Sequence, residues 1–368
     1  MKAECDRESF LSACQLVSAA VSTRDVKPIL RNFKVIAEGD RCTLMATDLE
    51  LGIRFDVQNL IIQEPGEAIL PATRLIAILR EARDTRLSIE AEPNACVIRG
   101  ASLEFEMPGE DPDQFPDIPT FADEDKYHEI SAGSLRDMVR RTVFATADET
   151  ARYSMTGVLW ELEDETIRLV ATDGRRLALA QGTATAHGDH STRGLSPVVP
   201  TKAMTLLERN LQVDEDPVKI CLRPNEVLFR TGRAVIYSRL VEGRFPDYKQ
   251  VMPRKQATKV GLSTASFQAA VRQAAVMTDD DSKRVTFHFD RDKLTLQAHG
   301  ATAGRSKVEL PIIYDGKAVD INFNPAYLVE MLKVLPPDEE ITLDLIDGGS
   351  PALFRFGTGY SYLVMPLT

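Results

Sequence analysis

Apolar residues recur at helical spacing in three segments that each begin with a serine. SFLSACQLVSAAV begins at Ser9, SLRDMVRRTVFA at Ser134 and SFQAAVRQAAVM at Ser266, with spacings of 125 and 132 residues. Serine is favoured at the N-cap of an α-helix, and apolar residues three or four positions apart give a helix one buried face. The pattern therefore predicts three amphipathic helices, each with its serine at the N-cap.

A second helix is predicted in each third of the chain, and a proline marks its start. PATRLIAILREA begins at Pro71, PTKAMTLLERNL at Pro200, and NPAYLVEMLKVL carries Pro325 as its second residue, so these prolines lie 129 and 125 residues apart. Proline is favoured at the start of a helix because its missing N–H would have no partner there. Two independent markers thus indicate a repeat of nearly the same length.

Between the helices the chain alternates between apolar and polar residues, as strands do. Ala171-Thr172-Asp173 in TIRLVATDGRRLALA echoes Ala46-Thr47-Asp48 in CTLMATDLELGIRFDV, and LQAHGATAGRS from Leu296 is a weaker third copy. The segment Thr172-Asp173-Gly174 is predicted to form a hairpin tip, in which Asp173 caps its own turn and Gly174 adopts a positive φ.

The order helix, strands, helix, strands predicts an α+β protein made of three similar domains. Each domain is expected to pack two helices on antiparallel sheets. The repeat is interrupted near 120–127 and 250–258, which predicts domains at 1–122, 127–253 and 257–368.

Charge is distributed unevenly between the helices and the rest of the chain. The formal net charge is −11, which argues against nucleic-acid binding by the whole surface. The predicted helices are nevertheless mildly basic. Their cations are either ordinary solvated side chains or a basic face that contacts phosphates without reading sequence. The basic residues on or next to these helices are Arg24, Arg74, Arg80, Arg83, Arg136, Arg140, Arg141, Lys202, Arg209, Arg272 and Lys333.

Nothing in the chain indicates a catalytic centre, a metal site or a bound cofactor. The sequence has no P-loop, no dinucleotide-binding glycine motif, no nucleophile elbow and no zinc-protease motif. His187 and His190 fall in a polar insert that is predicted to be a solvated loop, and Asp279-Asp280-Asp281 lacks the calcium-loop pattern. An enzyme is therefore disfavoured.

The sequence also bears on the compartment. The five cysteines have no CxxC spacing, which favours reduced thiols over a disulfide framework. The charged N-terminus does not resemble a signal peptide, and no apolar stretch is long enough to cross a bilayer. A cytoplasmic protein without a membrane partner is expected.

Three motifs together resemble the bacterial DNA polymerase III beta subunit family, the sliding clamps. They are LVATDGRRLA, LVEGRFPDY and the terminal YSYLVMPLT, and the resemblance extends along essentially the whole chain. It implies a ring-shaped head-to-tail homodimer that encircles duplex DNA without sequence preference and acts as a processivity factor. The implied partners are the replicative polymerase alpha subunit, an ATP-driven clamp loader and other proteins with a clamp-binding motif; no cofactor is implied.

The resemblance also implies which residues form each surface. A partner-peptide pocket is expected from Met155, Thr172, Gly174, Arg175, Arg176, Leu177, Pro246, Val251, Leu363, Met365, Pro366 and Leu367. Arg176 is expected to orient the polar end of the peptide. DNA contacts are expected from Arg24, Arg74, Arg136, Arg141, Arg152, Tyr153 and Lys202, and a dimer interface from Phe105 and Met107 against Val276 and Met277.

Two questions remain open from the sequence. The chain departs from the family pattern at Arg175, at Gln250 and at its Leu367-Thr368 ending, which leaves the peptide preference open. The competing class of function is an enzyme or small-ligand binder that reuses the repeated fold, with the same pocket as its site. A closed dimer with a central hole distinguishes the clamp from that alternative.

Overall fold

The protein is described by a computed structural model that covers residues 1–23, 27–92, 95–121, 125–148, 153–253, 258–279, 283–300 and 303–367. Helices and strands follow the same order in each third of the chain. The first third contains β1 (Lys2–Asp6), α1 (Arg7–Val17), β2 (Asn32–Glu38), β3 (Arg41–Thr47), β4 (Leu51–Val57), β5 (Leu60–Glu64), β6 (Gly66–Pro71), α2 (Ala72–Glu81), β7 (Arg86–Glu92), β8 (Ala95–Arg99) and β9 (Glu104–Pro108).

The second and third parts of the chain repeat that order. The second contains β10 (Tyr127–Ser131), α3 (Ala132–Val143), β11 (Gly157–Glu163), β12 (Thr166–Thr172), β13 (Arg176–Thr183), β14 (Thr185–His187), β15 (Val198–Pro200), α4 (Thr201–Asn210), β16 (Pro217–Leu222), β17 (Glu226–Arg230) and β18 (Ala234–Arg239). The third contains β19 (Thr258–Ser263), α5 (Thr264–Ala275), β20 (Val285–Asp290), β21 (Lys293–Gly300), β22 (Gly304–Pro311), β23 (Val319–Phe323), α6 (Pro325–Lys333), β24 (Glu340–Leu345), β25 (Ala352–Phe356) and β26 (Tyr360–Val364).

The six predicted helices are present, but the first helix of each third begins earlier than its serine suggests. Asp6, not Ser9, caps α1, and its side chain accepts a hydrogen bond from the Ser9 amide at 2.9 Å. Ser263 occupies the N-cap of α5, three residues before Ser266. The predicted serines therefore lie in the first helical turn. The prolines were better markers, because Pro71 and Pro200 are N-caps and Pro325 is the first residue of α6.

Contacts divide the chain into two compact units, and strand pairing explains why the units cut across the second third. The first unit comprises Met1–Arg136 and Ala184–Leu240. Its larger sheet has the order β14-β10-β16-β17-β18-β4-β3-β2-β6, and its smaller sheet has the order β5-β1-β7-β8-β9. β18 of the second third pairs antiparallel with β4 of the first third, and Ile236 lies opposite Ile53. This pairing joins strands from both thirds into one continuous sheet.

The second unit comprises Asp137–Thr183 and Val241–Thr368. One of its sheets contains the run β11-β12-β13-β26-β25-β24-β19, and the other has the order β22-β21-β20-β23. Here β13 pairs antiparallel with β26, so that Leu177 lies opposite Leu363. Helices α5 and α6 contact each other in this unit, as α1 and α2 do in the first. The predicted α+β architecture of helices on antiparallel sheets is confirmed.

The histidine insert differs from the solvated loop that its sequence predicts. His190 is buried, and its Nδ1 lies 2.7 Å from Nδ1 of the buried His128. His187 belongs to β14 and stacks on Tyr127 with ring centroids 4.4 Å apart. Aromatic packing against β10 therefore holds this segment, an interaction between residues about 60 positions apart that local polarity does not reveal.

All five cysteines are buried free thiols. Burial raises the pKa of Cys96 to about 11. The described residues contain no group of three or more His, Cys, Asp or Glu side chains arranged to hold a metal ion. No helix in these ranges combines the length and the apolar character needed to span a membrane.

Candidate functional site

The hairpin between β12 and β13 is held by its own Thr172 and Asp173 side chains. Thr172 Oγ1 donates to the Arg176 carbonyl at 2.6 Å and accepts from the Gly174 amide at 3.1 Å. Asp173 Oδ1 accepts from the Arg175 and Arg176 amides at 2.9 and 3.0 Å. Gly174 has a φ of +86°, which strains most other residues. The predicted roles of Asp173 and Gly174 in the turn are confirmed.

The same turn occurs in the first third of the chain, between β3 and β4. Thr47 Oγ1 donates to the Leu51 carbonyl at 2.9 Å, and Asp48 Oδ1 accepts from the Leu51 amide at 2.8 Å. Leu49, at the position of Gly174, also has a positive φ, of +80°. The Thr-Asp turn is therefore a repeated structural element. The distinctive chemistry of the second copy comes from its arginines, because Arg176 occupies the position of Leu51.

Arg176 is buried and its guanidinium is directed into the protein. Its Nε donates to Asp173 Oδ2 at 3.0 Å and one Nη donates to the Phe144 carbonyl at 2.9 Å. The other Nη pairs with Glu330 on α6. The guanidinium also lies 4.5 Å from the ring centroid of Tyr327 on the same helix, within the range of a cation–π interaction.

These contacts occupy the Arg176 guanidinium in the single chain, and its expected role in orienting a bound peptide stays a prediction. Burial alone lowers the pKa of this guanidinium, but Tyr362 and Glu330 more than offset burial, so its pKa is raised. The charge is therefore retained inside the protein. Arg176 holds the hairpin against α6, whereas Arg175, the next residue along the turn, is exposed.

The C-terminal strand lies directly beside this hairpin. Arg176 lies opposite Val364 in the pairing of β13 with β26. The Met365 amide then donates to the Arg175 carbonyl at 2.9 Å, and the Leu367 amide donates to the Asn322 carbonyl at 2.8 Å. Met365 remains 40% exposed at the end of this strand. Met365 and Leu367 are thus fixed to two neighbouring elements, while the Met365 side chain stays accessible.

The linker that follows β18 is anchored on the same sheet as the hairpin. The Tyr248 hydroxyl donates to Glu161 Oε2 on β11 at 2.7 Å, and Lys249 pairs with Glu161 Oε1 at 3.3 Å. Burial, reinforced by Glu161, raises the pKa of Tyr248. Pro246 and Val251 on either side of this anchor are exposed, and Val251 is 48% accessible.

The predicted pocket residues therefore fall into three groups. Strand pairing and hydrogen bonds bring the hairpin and the C-terminal residues together. A second group lies on the anchored linker. Met155 is half-buried, and its backbone carbonyl accepts a hydrogen bond from the Ala147 amide at 2.9 Å. Leu177 and Leu363 form a third group, because both are 3% exposed and lie opposite each other in the pairing of β13 with β26. Glu330 and Tyr327 were missed by sequence reasoning, since no local motif marks them.

Three of the seven predicted DNA contacts have acidic partners within the chain. Arg136 pairs with Asp214 at 2.6 Å, and Arg141 bonds Asp137 at 3.4 Å and lies 5.2 Å from the Phe356 ring centroid. Lys202 pairs with Asp48 at 2.5 Å. These pairs would have to open or share the cation for a phosphate contact, and the expected DNA contacts of the three residues stay predictions. Arg74 is exposed. Arg24 and Arg152 lie outside the described residues, and only the backbone of Tyr153 is described.

The predicted dimer residues differ in exposure. Phe105 is 40% exposed on β9 and Val276 is 71% exposed just after α5. Met277 is half-buried. Met107 is only 4% exposed, so the expectation that it offers an apolar anchor to a second chain is corrected. It lies opposite Cys96 within its own sheet.

Known proteins resemble this chain over its whole length. Three descriptions match in succession: the N-terminal domain of the DNA polymerase III beta subunit at 1–119, the central domain at 129–247 and the C-terminal domain at 249–367. A beta sliding clamp from Caulobacter vibrioides is 30% identical, with 100% of both chains covered. One from Pseudomonas putida is 29% identical, with 98% of both covered.

Solved structures give the same result. The sliding clamp of Pseudomonas aeruginosa bound to griselimycin has a TM-score of 0.91 and 28% identity, covering 100% of this chain and 99% of that one. The Bacillus subtilis clamp has a TM-score of 0.90 and 26% identity over the same shares. Three successive α+β domains, in which β18 pairs with β4 and β26 pairs with β13, define a DNA clamp fold. Within that class, the chain belongs to the DNA polymerase III beta subunit family.

Proposed function

We propose that this chain is a sliding clamp, which closes as a ring-shaped homodimer around duplex DNA and tethers the replicative polymerase as a processivity factor. The proposal assigns it no chemistry of its own. Its relatives carry the name beta sliding clamp. The observation that supports ring closure most directly is a junction between two strands that occurs twice within the chain. The two strands that would form a third junction of this kind do not pair with each other in the single chain.

The junction joins the last strand of one third to a strand of the preceding third. β18 pairs with β4, and β26 pairs with β13. The corresponding strands that remain are β9, the last strand of the first third, and β22 in the third. Among the described residues both are sheet edges. An edge strand presents unpaired backbone groups, so β9 of one chain and β22 of a second chain can form the same junction head to tail.

The internal junctions also give a register for this pairing. The residue pair next to the turn is Arg99 with Glu104 in the β8–β9 hairpin and Arg230 with Val235 in the β17–β18 hairpin. Glu104 therefore corresponds to Val235, and Glu106 to Tyr237. Ala298↔Ser306 in the third copy of the hairpin corresponds to Ala46↔Ile53 in the first.

Val235 lies opposite Arg54 and Tyr237 lies opposite Gly52 in the β18–β4 junction. The same register places Glu104 of one chain opposite Lys307 of the other, and Glu106 opposite Arg305. All four side chains are exposed in the single chain. Opposite charges facing each other across a strand pair stabilise it. Charge complementarity therefore supports the same junction as the sheet order does.

An apolar contact fits the same register. Phe105 lies opposite Ser306, whose Oγ donates to the Ala274 carbonyl near the end of α5 at 2.9 Å. The exposed Val276 follows two residues later. Phe105 of one chain can therefore cover the end of α5 of the other, as the resemblance implies.

Exposed cations on the helices support the DNA-facing part of the proposal. They include Arg74 and Arg80 on α2, Arg209 on α4, Arg272 on α5 and Lys333 on α6. Enclosure tethers a ring without strong contacts, and phosphate contacts carry no sequence information. A mildly basic helical surface in an acidic chain is therefore suited to sliding.

Topology provides the sharpest test of the proposal. The protein is loaded onto nicked circular DNA by a bacterial clamp loader and ATP, and the complex is then isolated by gel filtration. We expect it to stay on the circle and to leave when a restriction enzyme linearises the DNA. Retention on linear DNA with free ends, or a monomer by native mass spectrometry, would contradict a sliding ring and favour a ligand-binding protein.

Replacing Arg74 and Arg272 with alanine is expected to weaken residence on DNA and to flatten its salt dependence. The slope of log K against log salt should fall by roughly 1 for each phosphate that the protein no longer neutralises. Salt titration by fluorescence anisotropy on two duplexes of different sequence measures this. Arg41→Ala, which removes an exposed cation from β3, should leave the slope unchanged. A difference between the two duplexes would argue against sequence-independent binding.

A further inference from the structure

Each Thr-Asp hairpin is tied by charge to the second helix of the following third. At the first hairpin, Asp48 accepts from Lys202 on α4 at 2.5 Å. At the second, Arg176 pairs with Glu330 on α6, with the opposite polarity of charge. The Lys202 side chain is 49% exposed, whereas that of Arg176 is 9% exposed. The second tie therefore has the more enclosed cation, whereas its acid, Glu330, is 42% exposed against 19% for Asp48.

We propose that Glu330 is a positioning residue for the partner groove, the name used here for the expected partner-peptide pocket that the hairpin, the linker and the C-terminal residues form. Together with Tyr327 it fixes where Arg176 sits, and Arg176 fixes the hairpin and the C-terminal strand beside it. This inference rests on the proposed function, because it assigns the groove to a partner peptide. It adds a residue on α6, outside the hairpin, linker and C-terminal residues of that groove.

The path from Glu330 to the groove is short. Arg176 begins β13 and pairs with Val364, the last residue of β26. The carbonyl of its neighbour Arg175 accepts a hydrogen bond from the Met365 amide at 2.9 Å. A shift of the Arg176 side chain therefore moves the backbone that holds Met365, the exposed apolar residue of the groove.

The first hairpin shows that the turn itself does not require this ion pair. Leu51 occupies the position of Arg176, is buried, and the Thr47 and Asp48 hydrogen bonds form nevertheless. Glu330 therefore acts on the location of the hairpin relative to α6 and not on the formation of the turn. Glu330 is 42% exposed and Asp173 keeps its own bond to Arg176, so loss of the Glu330 charge leaves the guanidinium paired on the hairpin and removes its ion pair to α6.

The test uses Glu330→Gln in the full-length protein, with Glu340→Gln as the matched control at the exposed first residue of β24. Calorimetry with a Gln-x-x-Leu-Phe peptide should show affinity weakened by roughly tenfold in Glu330→Gln, because the amide oxygen can still accept from Arg176 but lacks the charge that strengthens this hydrogen bond. Hydrogen exchange should accelerate at the amides of Gly174, Arg175, Arg176 and Met365 and stay unchanged in β12. The control should match the parent in both measurements.

Four results separate the possibilities. Parental affinity and unchanged exchange in Glu330→Gln overturn the positioning role, as does faster exchange throughout the second unit, which indicates a general loss of stability. If Glu330→Gln does not fold, the double variant Arg176→Leu/Glu330→Leu replaces it, since the first hairpin folds with a leucine at the position of Arg176. Parental peptide affinity in that double variant also overturns the positioning role. A parent protein that binds no such peptide contradicts the proposed function instead.

Discussion

Removal of residues 365–368 is expected to abolish binding of a Gln-x-x-Leu-Phe peptide while the dimer still forms. The truncation removes Met365, which is 40% exposed. It also removes two backbone hydrogen bonds, one from Met365 to Arg175 and one from Leu367 to Asn322. Two apolar peptide anchors gain roughly 3–6 kcal/mol on burial before entropy is subtracted. Loss of one side of the groove should therefore weaken binding by at least about 30-fold, or about 2 kcal/mol.

Calorimetry measures this affinity, and native mass spectrometry checks the dimer in the same sample. Ile313→Ala is the matched control, since Ile313 is an apolar residue of the same unit that is 91% exposed. It should bind the peptide like the parent. Leu177→Asp is a poor probe because Leu177 is 3% exposed, and a buried carboxylate would destabilise the sheet. A truncated protein with full peptide affinity would show that the groove lies elsewhere.

The repeat was predictable because its signals are local. Proline and apolar spacing mark a helix within one segment, so α2, α4 and α6 were placed within one residue of their starts. The Thr-Asp turn was equally accessible, since Asp173 and Gly174 act on their own backbone. The serines misled by three residues at α1 and α5, because the last residue of the short strand before each of these helices is the actual N-cap.

Interactions between distant residues were not predictable from the sequence. Arg176 and Glu330 are 154 residues apart, as are Lys202 and Asp48. Composition identified these arginine and lysine side chains as helix or hairpin cations but not their acidic partners. The same limit explains the histidines, because only pairing of β10 with β14 reveals that His190 is buried against His128.

Reversing the charges on β9 is expected to dissociate the dimer, and reversing those on β22 as well is expected to restore it. In the proposed register, Glu104→Lys/Glu106→Lys places lysines opposite Lys307 and Arg305 of the other chain. Like charges across an interface cost several kcal/mol. A head-to-tail ring contains this junction twice, so the dimer constant should weaken by a factor of at least about 100.

The compensating chain carries Glu104→Lys/Glu106→Lys together with Arg305→Glu/Lys307→Glu. Its junction regains opposite charges with the polarity exchanged, whereas Arg305→Glu/Lys307→Glu alone should dissociate like the β9 variant. Analytical ultracentrifugation at low and high salt separates these cases, because screening weakens repulsion between exposed charges. Arg41→Glu/Glu340→Lys, which exchanges the charges of two exposed residues on β3 and β24, outside both junction strands, controls for charge reversal itself. The quadruple variant could stay monomeric although hydrogen exchange shows that its β9 and β22 strands are folded as in the parent protein. In that case β9 and β22 do not face each other in this register.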